Sequence, residues 1–355
     1  MKKKNILILL IILVLALAAL FTGNHYSTLK ERESDFSVYD TASITKIFMA
    51  DNNVHEVLLQ RTPKGWVLNR QYPANGRAVD FLLETLKRIR VKAPVSKASF
   101  ENVVKRMAGI AVKVEIYQRV PRINLFDRIK LFYHEKRTKV FYVGDVTQNN
   151  LGTYMLMEGA EQPYIVYIPG FRGFVSVRFS PKPDDWKSHV VFNKKLGDIK
   201  EVKVEDGKNP ENSFKITIVD AMGSFDVTKL SDQTKLKDYD TLKLLNFLTS
   251  FRDLKYESRL NNLMSPQKID SITHTKPIYT ITLVGRTNDT TKVVMFSKNR
   301  FPDEVNKAFE ELVPVDLDRM YGLINRGEDF VLMQYYVFDK VLRPVGFFEK
   351  EKNKN

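Results

Sequence analysis

The chain has 355 residues, 43% of them hydrophobic and 28% charged, which suits about two folded domains and argues against global disorder. It contains no cysteine, so disulfides, thiolate metal sites, a cysteine nucleophile and a lipoprotein anchor are excluded. Its 56 basic and 42 acidic residues leave a formal charge of +14, which favours anionic partners such as nucleic acid, acidic lipid head groups or an acidic protein face.

Three lysines, Lys2 to Lys4, precede an unbroken apolar run from Ile6 to Phe21. As a helix this run rises ~24 Å, and Thr22, Gly23 and snorkelling lysines extend its reach toward the ~30 Å hydrocarbon core. Basic residues ahead of the run keep the amino end in the cytoplasm. The reading is a retained, single-pass signal anchor in the inner (cytoplasmic) membrane, with the bulk of the chain periplasmic or otherwise extracytoplasmic. A cleaved signal peptide is the competing reading, since Ala16-Leu17-Ala18 has the small-x-small form, although it lies inside the apolar run. Either way nucleic acid drops out as a partner.

Residues 24–36 are polar and read as a stalk. "ITKIFMAD" (44–51), "HEVLLQR" and "PKGWVLN" then alternate as a three-strand meander with Gly65 in the second turn. "VDFLLETLKRIRV" follows, with Leu82, Leu83, Leu86 and Ile89 on one helix face. The order recurs further on. "IKEVKVED" (199–206), "SFKITIVD" and "SFDVTKL" predict a second meander with a turn at Met222-Gly223. "DTLKLLNFLTSFRDL" predicts a helix capped by Asp240, with Leu244, Leu245, Leu248 and Phe251 on its apolar face.

After each helix the chain returns to strands: "IAVKVEIYQ", "TKVFYVG", "GTYMLME" and "PYIVYIP" in the first half, "IYTITLVG", "TKVVMFS", "DRMYGLI" and "FVLMQYYVF" in the second. A spacing of about 160 residues is too long for a solenoid and indicates a duplicated domain. The expected fold is α+β: an N-terminal transmembrane helix, then two related units, each a mostly antiparallel sheet with one main helix. The expected divisions are 1–23 (cytoplasmic tip and anchor), 24–36 (stalk), 37–192 and 193–346 (the units) and 347–355 (a polar tail).

"ITKIFMAD", "KGWVLNRQYPAN", "LLETLKRIRVKAPV" and "YVGDVTQNNLGTYMLMEG…PYIVYIPGF" together resemble an uncharacterised bacterial family of membrane-anchored proteins defined only by a domain of unknown function. The likeness covers residues 44 to about 180 and is looser beyond. Members are often encoded near components of gliding-motility-type ABC transporters, which implies an accessory role. The resemblance brings no catalytic residue.

Motifs for chemistry are sparse. The histidines, His25, His55, His134, His189 and His274, show no metal-ligand spacing. There is no G-x-S-x-G, phosphate loop or G-x-G-x-x-G. Ser43-Ile44-Thr45-Lys46 fits S-x-x-K but begins a strand-like alternation. Asp184-Asp185 reads as a solvated turn before Trp186. No catalytic, metal or cofactor-binding residue is assigned, and no cofactor is expected.

Two segments are candidate contact sites. In "VGDVTQNNLGTYMLMEGAEQPYIVYIPGF" (143–171) turns explain the glycines Gly144, Gly152, Gly159 and Gly170. A ligand or partner loop is the alternative, at Asn149, Asn150 and Tyr154 or at Phe171, Arg172 and Phe174, with Arg172 stacking between two phenylalanines. Residues 119–139 break the repeat, with seven basic against two acidic residues. Leu125, Phe126, Ile129, Phe132 and Tyr133 fall at helical spacing, with Arg122, Arg128 and Lys130 beside them, which predicts a basic amphipathic helix. Such a helix can dock on its own domain, lie on an anionic membrane surface, or bind a partner. The functional expectation is a non-catalytic accessory or scaffold protein of an envelope complex, with a protein partner there. A cell-wall glycan or peptide binding module is the second reading, and a hydrolase the third.

Overall fold

The computed structural model describes residues 34–125, 129–219, 224–299, 315–324 and 327–350, together with Ile12. Two compact units divide the chain, Met1–Ser188 and His189–Asn355. The remainder of the apolar run 6–21, the stalk up to residue 33, and the turn at Met222-Gly223 lie outside the described residues. Among the described residues, no helix is long and apolar enough to cross a membrane.

In the first unit the meander forms as its alternation predicts. It comprises β1 (Ile44–Ala50), β2 (Glu56–Thr62) and β3 (Gly65–Leu68), extended by β4 (Tyr72–Pro73). Gly65 turns between β2 and β3 at φ +119°, which its lack of a Cβ allows. Helix α1 (Gly76–Arg88) starts at Asn75, whose side chain caps the Ala78 N–H. Next come β5 (Arg90–Pro94), α2 (Lys97–Ile110), β6 (Val112–Leu125), β7 (Ile129–Val146), β8 (Thr153–Met157) and β9 (Tyr164–Tyr167). All nine strands join one sheet in the order β4-β3-β2-β1-β6-β7-β8-β9-β5, with antiparallel neighbours.

One sheet face carries the core. Leu82 and Leu86 of α1 bury against Ile47, Met49, Leu59, Val114, Ile116, Phe141 and Val166. Each such side chain contributes about 1.5–3 kcal/mol when fully buried. The opposite face is covered over the β7–β9 half, where Val103 and Met107 of α2 meet Tyr142, Tyr154, Leu156 and Ile165. In this unit the single expected helix is therefore a pair, one on each face.

The second unit runs β10 (Val190–Phe192), β11 (Ile199–Asp206), β12 (Phe214–Ile218), β13 (Phe225–Lys229), α3 (Thr241–Thr249), β14 (Leu254–Lys255), β15 (Ser258–Arg259) and α4 (Pro266–Thr273). It continues through β16 (Tyr279–Gly285), β17 (Thr290–Asn299), β18 (Val315–Ile324), β19 (Asp329–Gln334) and α5 (Tyr335–Phe338). Asp240 caps α3 through the N–H groups of Leu242 and Lys243. The main sheet is β13-β12-β11-β16-β17-β18-β19-β15, and β10 pairs separately with β14. Substituting each strand by its counterpart turns this order into that of the first sheet without its β4 edge.

Several expected boundaries shift because burial reaches further than local composition suggests. Phe36, assigned to the stalk, is 2% exposed and meets Phe141 edge-on at 5.9 Å. Phe348, assigned to the polar tail, is fully buried against Phe214 and Phe247. Val191 and Phe192, expected in the first unit, sit in the second unit's core. "FVLMQYYVF" stops being a strand at Gln334 and turns into α5, which sinks Phe338 into that core.

Candidate functional site: a basic hairpin arm and an arginine clamp

The described residues of the segment 119–139 do not form a helix. They are the outer part of the β6–β7 hairpin, with register Arg119↔Glu135, Val120↔His134, Pro121↔Tyr133, Ile123↔Leu131 and Leu125↔Ile129. An isolated amphipathic helix of this length is marginal in water. Extending a ladder already set by Ile116↔Lys139 and Val114↔Phe141 instead adds backbone hydrogen bonds to existing structure. The β-branched and aromatic residues that mimicked a helical stripe also suit a strand.

Neighbouring strands stop short of this segment. Pairing of β1 with β6 ends at Ile44↔Gln118, and pairing of β8 with β7 ends at Met157↔Phe141. Beyond those points the hairpin is a two-stranded arm. Pro121, Ile123, Leu131 and Tyr133 share one of its faces by the two-residue pleat. Ile123 is 41% exposed, Leu131 47% and Tyr133 49%. Phe132 sits at φ +56° and is 69% exposed. A bulky residue in that left-handed region costs about 1–2 kcal/mol, a strain more often found at functional positions than elsewhere. Arg122 and Lys130 are exposed beside these side chains, and Arg119 stacks over the Tyr133 ring at 5.5 Å. Phe126 and Arg128 lie outside the described residues, and Leu125 and Ile129 are described by backbone pairing only.

The arm is braced at its base. Glu135 accepts from Thr45 Oγ1 at 2.7 Å and pairs with Lys46 at 2.5 Å. Gln118 donates to Ser43 Oγ at 2.8 Å and accepts from Thr138 Oγ1 at 2.6 Å. Burial alone would raise the Glu135 carboxyl, but the hydrogen bonds from Lys46 and Thr45 hold it below its ordinary value. These contacts account for the S-x-x-K sequence. Ser43 donates to the Asp40 carbonyl while Lys46 pairs with Glu135, so the two hold the arm rather than forming a nucleophile and its base.

The loop 147–152 is a tight turn closed upon itself. Thr147 N–H donates to the Gly152 carbonyl, Asn149 Oδ1 accepts from Leu151 N–H and Thr147 Oγ1, and Asn150 adopts φ +57°. Tyr154 is half-buried under α2. Asn149, Asn150 and Tyr154 thus serve the turn and its packing. Two of the four glycines assigned to turns act otherwise: a Cβ on Gly144 would meet Met107 at 2.7 Å, and one on Gly152 would meet Ile165 at 2.8 Å.

In "PGFRGF" the stacking arginine is not the expected one. Arg172 is exposed, whereas Phe171 turns its ring to Arg178, seven residues on. The Arg178 guanidinium lies 4.1 Å from the Phe81 ring centroid and 4.7 Å from that of Phe171. Phe174 is half-buried. Sequence spacing could not reveal this clamp, because Phe81 arrives from α1, almost a hundred residues earlier.

Among the described residues, no group of three histidine or acidic side chains suits a metal ion. His55 bonds Asp51, His134 the Val120 carbonyl and His274 the Asp270 carbonyl, while His189 stacks on Tyr256 with burial lowering its pKa. His25 lies outside the described residues. Asp185 accepts from Ser180 within the turn that sets Trp186 into the core. The uncovered half of the outer sheet face holds a shallow cleft lined by Lys46, Phe48, Leu58, Arg70, Glu115 and Tyr117. Burial would raise the Glu115 carboxyl. Hydrogen bonds from Lys113 and Tyr117, with the Lys113 and Arg137 charges, more than offset this and keep it ionised. That is an ion-pair network, not a poised general acid.

An α+β protein with two large antiparallel sheets and a projecting basic hairpin is the class these features define. The chain belongs to a family described as a domain of unknown function (DUF4340), whose profile matches residues 66–277, more than half its length. That match begins in β3 and ends just before β16, so it spans parts of both units. No curated protein and no solved structure matches the chain.

Proposed function

We propose that this protein is a membrane-anchored, extracytoplasmic accessory subunit of an envelope complex, working beside an ABC-type transporter through contacts rather than catalysis. Lys2 to Lys4 and the apolar run 6–21 supply the anchor, and the two units of like strand order descend from one duplicated domain. The observation that carries the reading is the β6–β7 arm, a basic, apolar-faced ribbon that its own sheet leaves unpaired. On this reading the arm lies on the anionic head groups next to the anchor. Its cations then meet lipid phosphates, and Ile123, Leu131, Phe132 and Tyr133 meet the interfacial region. Tethering by the anchor raises the local concentration of surface around the arm, so a weak contact suffices.

Cross-linking in intact membranes followed by mass spectrometry tests this. Recovery of a transporter subunit linked to the full-length chain, resistant to alkaline washing, is the expected result. A monomeric chain linked to nothing and stripped by alkali would overturn the reading.

A further inference from the structure

Phe81, Thr85 and Arg88 form one stripe of α1, at i, i+4 and i+7. Arg178 rests on this stripe, its guanidinium held between the faces of Phe81 and Phe171. Stacking occupies both faces of the planar group and leaves its edges for hydrogen bonds. Nη1 donates to Thr85 Oγ1 at 3.0 Å. Among the described residues, no carboxylate forms an ion pair with Arg178.

Two other stacked arginines of this unit, Arg61 and Arg90, differ. Arg61, over Trp66, donates to the Ile44 and Thr41 carbonyls at 2.8 and 2.9 Å. Arg90, near Tyr39, donates to the Lys87 and Ile89 carbonyls at 2.9 and 2.7 Å. Backbone oxygens take up those forks, which makes them structural. The Arg178 fork has one hydroxyl, and its charged neighbour is another cation, Arg88. Burial first and then the Arg88 charge push the Arg178 guanidinium below its usual value. A desolvated cation beside a like charge is relieved by an anion.

The clamp is held in place rather than incidental. Gly170 and Gly173 adopt φ +79° and +153°, and a Cβ on Gly173 would meet the Phe171 ring at 2.9 Å. That glycine lets the ring fold back over the loop. The loop is pinned on either side of Arg178's turn, by Val175 N–H donating to Thr153 Oγ1 at 2.8 Å and by the buried Phe179. Both rings stay open to solvent, Phe81 at 54% and Phe171 at 40%.

We propose that Arg178, with Arg88 beside it and Phe81 and Phe171 as walls, binds a carboxylate or phosphate carried on an apolar group. The fork grips two oxygens of the anion, and the exposed ring edges cover the apolar stem. The site is independent of the hairpin arm, so it stands or falls apart from the membrane reading.

Titration calorimetry on the full-length chain in non-ionic detergent tests it, with hexanoate, hexyl phosphate and inorganic phosphate as probes. The two hexyl probes distinguish a carboxylate ligand from a phosphate one. Whichever is preferred should bind about tenfold more tightly than inorganic phosphate, because part of its chain leaves water. Arg178→Lys keeps the charge and stack but loses the fork, and should weaken binding at least tenfold, on the order of one lost bidentate pair. Arg88→Gln also gives up an exposed pair with Glu84 at 3.7 Å and a hydrogen bond to the Pro169 carbonyl at 3.3 Å, so it should weaken binding several-fold while lowering the melting temperature by no more than a few degrees, and it decides the matter if Arg178→Lys fails to fold. Arg172→Gln should bind like the parent. Absence of binding by all three probes, or parent-like affinity in both Arg178→Lys and Arg88→Gln, would overturn the proposal and leave Arg178 as a structural clamp.

Discussion

Neutralising the arm is the sharpest test of what it touches. Arg119, Arg122 and Lys130 are its exposed, described cations outside the braced base. Each basic residue near an anionic bilayer contributes about 1 kcal/mol, so changing all three to glutamine should cost about 3 kcal/mol. That corresponds to roughly a 150-fold shift in the balance between bound and free arm at physiological salt. Because the chain has no cysteine, Phe132→Cys gives a unique attachment point for an environment-sensitive fluorophore, at a side chain already 69% exposed. With the full-length chain reconstituted in anionic bilayers, the emission should shift to the blue. The shift should vanish in zwitterionic bilayers, in the triple glutamine variant, and at high salt. Equal emission in anionic and neutral bilayers would refute the electrostatic argument. An unchanged shift in the triple variant would place the arm on something other than lipid.

Two further predictions concern the second unit. Lys298 and Asp316 form a buried pair at 2.8 Å; Lys298→Met leaves the carboxylate without its cation and should cost about 3–5 kcal/mol, while a Lys298→Met, Asp316→Leu double variant should recover only part of it in denaturant melts, because the Asp318 and Arg319 N–H groups lose their acceptor. Burial would raise Asp316, yet the Lys298 hydrogen bond and the Asp318 and Arg319 N–H groups hold it below its ordinary value. The pair's stabilisation is therefore fully present above the unfolded value near ~3.9 and disappears as pH falls through the folded value, and melts taken across acid pH check this. Gly207→Ala would drive a Cβ into the Pro277 carbonyl oxygen, which as backbone cannot swing aside. A loss of about 1–3 kcal/mol is expected, and a melt equal to the parent's would refute the close approach.

The strands and both principal helices were legible because their periodicity coincides with burial: Leu82 and Leu86, like Leu244 and Leu248, pack into a core as their spacing requires. The second helices were legible in principle. Ser265-Pro266 is a helix start, and Val103, Met107 and Ala111 recur every four residues. Residues 119–139 misled because five apolar residues in a mixed-period stretch fit a helix and a strand equally well. Only the partner strand decides between them, and pairing over 14 and 18 residues is a tertiary fact. The Arg178 clamp was invisible for a related reason. Local spacing offered Arg172 between two phenylalanines, whereas Gly173 folds Phe171 back and α1 supplies the second ring.

Comparing the two units isolates what the arm is for. Where the first unit carries it, the second joins β16 to β17 by a short turn closed within itself. Gly285 N–H donates to the Asp289 carbonyl at 2.8 Å, Asn288 N–H to the Gly285 carbonyl at 2.9 Å, and Asn288 takes φ +60°. The sheet therefore does not require a long hairpin at this position. Replacing residues 118–136 by Gly285-Arg-Thr-Asn-Asp289 should close β6 onto β7 and leave the first core intact, since its buried members Val114, Ile116, Phe141 and Val143 lie outside the exchange. The Lys46–Glu135 pair is lost, but half-exposed ion pairs contribute no more than about 1 kcal/mol. The first unit should thus keep its melting transition to within a few degrees, while contact with anionic bilayers is abolished. Unfolding of the first unit on this exchange would show the arm to be part of the fold's support, and the case for it as a contact surface would fail.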